Sequence, residues 1–264
     1  MGHVSRRPQS WYHVPMSASS QVNRVLTCYF TSKRDPLPGR ACRDGRDPQK
    51  YYYKDPLHLL PDRFGLMSGW YNSMARLGLS GVVFHDGLSE DFVSRLSTDR
   101  IRFVPVMPGP RPLNDERFFI YHDYLQQHGE VRNVFATDLF DVAFFKDPFL
   151  LLNKSHDLWA GSEKRYNWFW MRRRYKLSYG KMHHTSQKLL NAGIMGGTRE
   201  NLLTLFARMT ADMTAMPPSV NANMAVFNKC AYDLFMPERI FTGFPLHSVF
   251  RKYEAKGDFF IRHK

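Results

Sequence analysis

The chain has 264 residues, of which 43% are hydrophobic and 15% aromatic, which is enough to form the core of one α/β domain. Lys and Arg outnumber Asp and Glu by 37 to 24, so the net charge of +13 favours anionic partners such as nucleotides, anionic glycans or nucleic acid. No apolar run reaches the ~18 residues of a membrane span, and the polar N-terminal segment has no secretory pattern. We therefore expect a cytoplasmic protein without a transmembrane segment. Three widely spaced cysteines argue for reduced thiols and against a zinc cluster.

The first half of the chain alternates apolar strands with amphipathic helices. Residues 1–22 are polar and are expected to form a flexible arm, and Val25–Thr31 predicts the first strand. A long loop follows at Ser32–Lys54, where Pro, Gly and charged residues are frequent. Beyond it, helices are predicted at Arg63–Leu77, Ser89–Leu96 and Asp115–His128, and strands at Gly81–Phe84, Ile101–Val106 and the start of Val131–Phe149. This alternation predicts an α/β fold whose mostly parallel central sheet is flanked by helices on both faces.

The second half is less regular. A short strand is predicted at Leu158–Gly161, and an aromatic and basic insert occupies residues 164–188. The glycine-rich segment Leu189–Gly197 allows the backbone to approach a ligand or the sheet, but it lacks the spacing of a phosphate-binding loop. Thr198 is a predicted cap for the helix Arg199–Met213. A last extended piece is predicted at Ile240–Pro245.

The segment Val131–Phe149, with the sequence VRNVFATDLFDVAFFKDPF, carries the strongest functional signal. Its apolar run ends in two carboxylates, Asp138 and Asp141, at the predicted carboxyl end of a buried strand. Ligands of parallel sheets bind at this edge, and carboxylates there are well placed to hold a divalent cation beside a phosphate. Two residues separate the acids, so both can face one ion only if the backbone turns after Asp138. Asp147, which precedes a proline, is expected to be a turn residue.

Other polar residues follow the predicted strands. Thr31 and Ser32 end the first strand, and the pair His85–Asp86 ends the next one. The pair His85–Asp86 can be interpreted equally well as part of a ligand site or as an ordinary turn after a strand. At the other end of the chain, the segment Phe259–Lys264 contains a histidine that could complete a metal shell.

An ordered set of segments resembles the nucleotide-sugar-dependent glycosyltransferases of the GT-A fold. The set consists of VLTCYFT, FATDLFDVAFFKDPF, LNAGIMGG, NMAVFN and a terminal His–Lys, and it spans roughly residues 24–264. The chain resembles more loosely the small soluble glycosyltransferases of algae and of their large DNA viruses. If the protein is viral, its expected location is the host cytoplasm. The resemblance implies a single GT-A-like catalytic domain over 23–264. Its nucleotide-binding half would be about 23–150 and its acceptor-binding half about 151–264.

The resemblance also implies a metal site. In the family, the acidic motif binds Mn²⁺ or Mg²⁺ together with the donor, and here that role falls on Asp138 and Asp141. Family members often close the metal shell with a late histidine, which corresponds best to His263, with His247 as a substitute. The family motif usually has one residue between its acids, whereas this chain has Leu139–Phe140, so which Asp binds the metal directly stays open.

The catalytic and donor-binding roles follow in the same way. Where the family frequently has an acid near NMAVFN, this chain has Asn221 and Asn223, and an amide cannot act as a general base. Glu163 is the remaining carboxylate that could act as a base or orient a sugar. Together with Asp138 and Asp141, it completes the set of catalytic candidates. The implied donor-binding residues are Thr31, Ser32, Arg34, Thr137, Asp138, Asn191, Ala192, Gly193 and Lys264.

The functional hypothesis is therefore transfer of a sugar from a nucleotide-diphosphate sugar, with UDP preferred, to a glycan or other hydroxyl acceptor. Two alternatives remain open. A metal-dependent nucleotidyl- or phosphotransferase would share the acids and the basic charge, and would turn over nucleoside triphosphates without sugar transfer. A basic nucleic-acid-binding protein would bind DNA or RNA in a steeply salt-dependent way. The latter is disfavoured because the basic residues are scattered and no nucleic-acid-binding motif is present.

Overall fold

The computed structural model describes residues 21–33, 53–55, 58–59, 61–163, 187–219, 221–248 and 257–263. Most of the predicted arm (residues 1–20), most of the loop 34–52, the insert 164–186 and the positions Arg34 and Lys264 lie outside these residues. The strands are β1 (Val22–Tyr29), β2 (Tyr53–Asp55), β3 (His58–Leu59), β4 (Gly81–His85), β5 (Ile101–Pro105), β6 (Val131–Thr137), β7 (Val142–Phe144), β8 (Leu158–Ser162), β9 (Leu190–Thr198), β10 (Ile240–Thr242), β11 (Leu246–His247) and β12 (Ile261–His263). The α-helices are α1 (Phe64–Arg76), α2 (Glu90–Leu96), α3 (Leu113–Gln127), α4 (Arg199–Thr214) and α5 (Asn223–Leu234), and 3₁₀ turns span Pro148–Leu151 and Pro237–Arg239.

A seven-stranded sheet forms the centre of the fold, in the spatial order β10-β8-β9-β6-β1-β4-β5. Strands β6, β1, β4 and β5 are parallel, and β10 is parallel to β8. Strand β9 is antiparallel to both of its neighbours, β6 and β8. The predicted mostly parallel α/β sheet is thus confirmed, with β9 as an antiparallel strand inside it. The first and second halves of the chain meet in this sheet through the β6–β9 pair.

Apolar residues cover both faces of the sheet because successive side chains of a strand point to opposite sides. On β1, Leu26 joins a core with side chains of α3, α4 and α5, including Phe118 and Phe206. Its neighbour Val25 joins a second core, which contains Trp70 of α1 and residues of α2. The sheet is therefore enclosed between two helical layers, and its strand ends remain as the place where polar groups collect.

Local capping signals mark three of the helix boundaries. The side chains of Ser89 and Thr198 accept hydrogen bonds from backbone N–H groups in the first turns of α2 and α4, as predicted for Thr198. Gly78, with φ of 63°, follows the end of α1. Asn114 directly precedes the predicted helix Asp115–His128 and is a possible cap by sequence, but it does not cap the helix. Helix α3 begins at Leu113, directly after Pro112, so Asn114 lies inside it.

A second, three-stranded sheet has the order β11-β12-β7. Strand β7 follows the acidic segment, and β12 is antiparallel to it, with His263 opposite Val142. Strand β11 is parallel to β12. This small sheet therefore carries the last described residues of the chain back to the end of β6.

Candidate metal centre

Asp138 and Asp141 lie in the turn between β6 and β7. Strand β6 ends at Thr137, and the backbone bends over residues 138–141 before β7 begins at Val142. The backbone N–H of Asp138 donates to the carbonyl of Gly193 on β9, with an N···O distance of 2.9 Å. The turn that the spacing of the acids requires is therefore present, and both carboxylates lie on one side of the chain.

His263 lies against both carboxylates. Its Nε2 atom is 3.1 Å from Oδ2 of Asp138 and 3.4 Å from Oδ1 of Asp141. The imidazole is only 1% exposed, whereas the two acids are partly exposed at 28% and 33%. The alternative ligand His247 is not part of this cluster, and its ring packs against Phe259 at a centroid distance of 4.9 Å. The geometry thus favours His263 over His247.

The cluster has the chemistry and the spacing of a divalent-cation site. One ligand atom each from Asp138, Asp141 and His263 can be chosen so that all three lie within 4.8 Å of one another. An octahedral ion ~2.1 Å from its ligands separates neighbouring ligand atoms by about 3 Å, close to the distances from His263 Nε2 to the carboxylates. Carboxylate oxygens with one imidazole suit Mn²⁺ or Mg²⁺. The group could therefore hold such an ion.

Gly193 leaves the space that His263 occupies. A Cβ atom built on Gly193 would lie 2.0 Å from Cε1 and 2.5 Å from Nδ1 of the imidazole, far inside van der Waals contact. Gly196, on the same strand, makes similar room for the ring of Phe135. The glycine-rich segment is thus a buried strand whose glycines admit two rings, and one of these rings belongs to the metal centre.

Arg117 of α3 is a member of the site that the sequence analysis missed. Its Nη1 atom forms an ion pair with Oδ1 of Asp138, and its Nη2 atom donates to the carbonyl of Ala192 at 3.0 Å. Burial lowers the pKa of Arg117, but the Asp138 carboxylate outweighs burial and holds the pKa above its usual value, so the group stays charged. A signal was present, because Arg117 shares the buried stripe of α3 with Tyr121 and Leu125.

Asn191 connects Glu163 to the metal centre. Its Nδ2 atom donates to Oε1 of Glu163 at 2.5 Å, and its Oδ1 atom accepts from the backbone N–H of Gly193 at 2.8 Å. The next carbonyl, that of Ala192, is the one bound by Arg117. The structure therefore brings four of the predicted residues, namely Asn191, Ala192, Gly193 and Glu163, to the edge of the Asp–Asp–His cluster.

Thr31 and Ser32 lie at the carboxyl end of β1 and are held by Asp86, which follows β4. One carboxylate oxygen of Asp86 accepts from the backbone N–H of Thr31 at 2.6 Å and from its hydroxyl at 3.1 Å. The other accepts from the backbone N–H of Ser32 at 3.1 Å and from its hydroxyl. Asp86 therefore holds Thr31 and Ser32, which are predicted to bind the nucleotide. This role of Asp86 is visible only from its contacts with residues distant in the sequence.

Two further side chains near the cluster make contacts of their own, and Asp147 lies in a turn. The hydroxyl of Thr137, a predicted donor-binding residue, is buried and accepts a hydrogen bond from Nε1 of Trp70 at 3.1 Å. Arg262 alternates with His263 along β12, and its guanidinium stacks on Phe145 at 5.0 Å. Asp147 is a turn residue as predicted, because its carboxylate accepts from the backbone N–H of Phe149 at 2.9 Å.

A carboxylate does lie at the NMAVFN segment, although it comes from α3. Asp115 accepts backbone hydrogen bonds from Ala222 and Asn223, at 2.9 Å and 2.8 Å, and so caps the N-terminus of α5. Its side chain is fully buried, and burial raises its pKa to about 6. Because it is buried and engaged by the helix, Asp115 stabilises α5 and does not face a substrate.

In comparisons with known proteins, no family model matches this chain and no curated protein matches its sequence. None of the helices in the described part of the chain is both long and apolar enough to cross a bilayer.

Proposed function

We propose that this chain is a metal-dependent glycosyltransferase that moves a sugar from a nucleotide-diphosphate sugar, with UDP preferred, to a glycan or other hydroxyl acceptor. The observation that carries the proposal is the convergence of Asp138, Asp141 and His263 on a single point. Asp138 and His263 are 125 residues apart in the sequence, yet the ligand atoms of all three residues form one cluster. The set and its order along the chain are those that the resemblance to GT-A glycosyltransferases implies.

The position of the cluster supports a nucleotide-sugar ligand. It lies after β6, at the carboxyl edge of the parallel strands β6, β1, β4 and β5, where α/β sheets bind their ligands. The loop of Thr31 and Ser32 follows β1 at the same edge and would bind the nucleoside. The mixed, mostly parallel sheet is compatible with a GT-A-like fold.

The chemistry of sugar transfer explains why carboxylates and an imidazole are needed there. When bound, Mn²⁺ or Mg²⁺ neutralises the negative charge that develops on the departing diphosphate. Asn191 fixes Oε1 of Glu163, so this carboxylate is oriented either to accept the proton of the acceptor hydroxyl or to bind a sugar hydroxyl. Asn191 links this carboxylate to the backbone of Gly193, which lies against His263, and we expect the anomeric carbon of a donor to lie near it.

A turnover assay with a panel of nucleotide sugars tests the proposal. We expect UDP release that requires Mn²⁺ or Mg²⁺, stops in EDTA, and falls at least ~100-fold in Asp138→Asn, because an amide binds a hard cation poorly. Asp147→Asn, a change of the same kind at a nearby cap outside the cluster, is the matched control and should keep its activity.

The same assay separates the alternatives. Metal-dependent turnover of nucleoside triphosphates without sugar transfer would replace the proposal with a nucleotidyl- or phosphotransferase. Absence of turnover, with oligonucleotide binding that survives Asp138→Asn and falls steeply with salt, would make the protein a nucleic-acid binder.

A further inference from the structure

The charges in the metal centre do not balance a divalent cation. Asp138 and Asp141 contribute two negative charges, and Arg117 contributes one positive charge in direct contact with Asp138. The three groups therefore carry a net charge of −1. A divalent ion bound to this set would leave an excess of positive charge on a partly buried site.

Arg117 also limits how Asp138 can bind an ion. Its guanidinium engages Oδ1, whereas Oδ2 is the oxygen that lies 3.1 Å from Nε2 of His263. One oxygen of Asp138 is thus directed at the metal position and the other at Arg117. An isolated carboxylate could offer both oxygens to one cation, so the ion pair reduces the negative charge available to the metal.

The guanidinium is held in place independently of Asp138. Nη2 donates to the carbonyl of Ala192 at 3.0 Å, and the guanidinium carbon lies 4.8 Å from the centre of the Phe118 ring. The Arg117 side chain is only 9% exposed. Because the guanidinium has these contacts besides Asp138, we expect it to stay beside the site when a second cation binds, so that the two like charges coexist.

We propose that Arg117 sets the metal affinity of the centre so that a divalent ion is retained only together with an anionic co-ligand, the diphosphate of the donor. The diphosphate supplies negative charge beyond that of the three described groups, Asp138, Asp141 and Arg117, and by reciprocity the ion raises the affinity for the diphosphate. Arg117 is a positioning residue, because it acts through Asp138. The inference rests on the metal centre of the proposed function, but not on which group is transferred.

Direct measurement of Mn²⁺ binding to the full chain, without nucleotide, tests this role. Arg117→Met removes the charge while keeping an unbranched side chain, and we expect it to bind Mn²⁺ at least ~10-fold more tightly than the unmodified protein, because charge repulsion is removed. Arg117→Lys keeps the charge and should stay within about threefold of the unmodified protein. Electron paramagnetic resonance of free Mn²⁺ gives these affinities without relying on turnover.

Two controls keep the result interpretable. Arg199→Met removes a similarly enclosed arginine, which bonds to the carbonyls of Leu125 and His128, and should leave Mn²⁺ binding unchanged. Thermal unfolding identifies any variant that is not folded. If Arg117→Met does not fold, the role of Arg117 is tested by how far UDP increases Mn²⁺ binding to Arg117→Lys. In both the unmodified protein and Arg117→Lys, UDP should raise Mn²⁺ retention at least ~10-fold after correction for Mn²⁺–UDP in solution.

Folded Arg117→Met that binds Mn²⁺ no more tightly than the unmodified protein overturns the role of Arg117 and leaves the metal centre intact. Mn²⁺ retention that UDP does not increase in the unmodified protein also overturns it. If the unmodified protein binds no Mn²⁺ even with UDP, both the inference and the proposed function fail.

Discussion

The single residue that most constrains the metal centre is a glycine. His263 is fully buried and reaches both acids only because Gly193 has no side chain. Neighbouring backbone atoms are tied into the same arrangement, since the carbonyl of Gly193 accepts from Asp138 and its N–H donates to Asn191. One position on β9 therefore links His263, the acidic turn and the Glu163 carboxylate.

We expect Gly193→Ala to lower Mn²⁺ affinity at least ~10-fold while the fold is retained, because the added methyl displaces the imidazole and removes one ligand. The measurement is Mn²⁺ binding in the presence of UDP. Gly129→Ala is the matched control, since a Cβ at Gly129 has no atom within 4 Å. Undiminished binding in Gly193→Ala would show that His263 is not a ligand.

Asp115 makes the stability of the protein depend on pH. Its pKa is about 6 in the folded chain and ~3.9 when unfolded, so the folded state holds the proton more tightly. Its contribution to stability is therefore fully present below pH ~4 and is lost as pH rises to about 6, a change of about 3 kcal/mol. The difference in free energy of unfolding between the unmodified protein and Asp115→Asn should shrink by this amount over that range. A pH-independent difference in urea unfolding would contradict the assignment.

At the scale of elements, Asn228 joins α5 to the start of β9. Its Oδ1 accepts from the N–H of Leu190 at 2.8 Å, and its Nδ2 donates to the carbonyl of Leu190 at 2.9 Å and to that of Met224. The side chain is fully buried. The helix thus fixes the strand end from which Asn191, Ala192 and Gly193 approach the metal centre.

Removal of this link should destabilise the protein. We expect Asn228→Ala to lower the free energy of unfolding by about 3 kcal/mol, because the bonds to buried backbone groups of Leu190 are lost. Asn153→Ala removes an exposed turn contact with Ser155 and should change stability by less than ~1 kcal/mol. Chemical denaturation measures both, and equal effects of the two variants would be incompatible with the role of Asn228.

Local patterns were sufficient to predict most elements but not their long-range contacts. Helices α1 to α4 and the parallel strands β1, β4, β5 and β6 follow from apolar periodicity and capping residues, as at Thr198, whereas α5 was not predicted. The acids at the end of β6 could likewise be predicted, because a buried strand ending in Asp138 has a local signature. The place of Arg117 on the buried stripe of α3 could be predicted, but the partners of Arg117 and Asp86 could not, since they lie 21 and 55 residues away. The same holds for Thr137, whose partner Trp70 is 67 residues distant.

At the scale of the whole molecule, the net charge of +13 and the mostly parallel sheet act together. A basic protein attracts anionic ligands from solution, and the carboxyl edge of the parallel strands is where α/β sheets bind their ligands. The pairing of β12 with β7 brings His263 to Asp138, so the Asp–Asp–His cluster forms only in the folded chain. A ligand of this centre must therefore stabilise the fold as a whole.

Thermal unfolding of the unmodified protein and of Asp138→Asn, each with UDP and either Mn²⁺ or EDTA, tests the central claim most directly. At a ligand concentration 100 times Kd, binding adds about 2.7 kcal/mol to the stability of the unmodified protein. We predict a corresponding rise in Tm of ~5–10 °C that needs both Mn²⁺ and UDP and is absent in Asp138→Asn. The same Tm in Mn²⁺ and in EDTA, or an equal rise in Asp138→Asn, would contradict a metal-dependent nucleotide site at Asp138, Asp141 and His263.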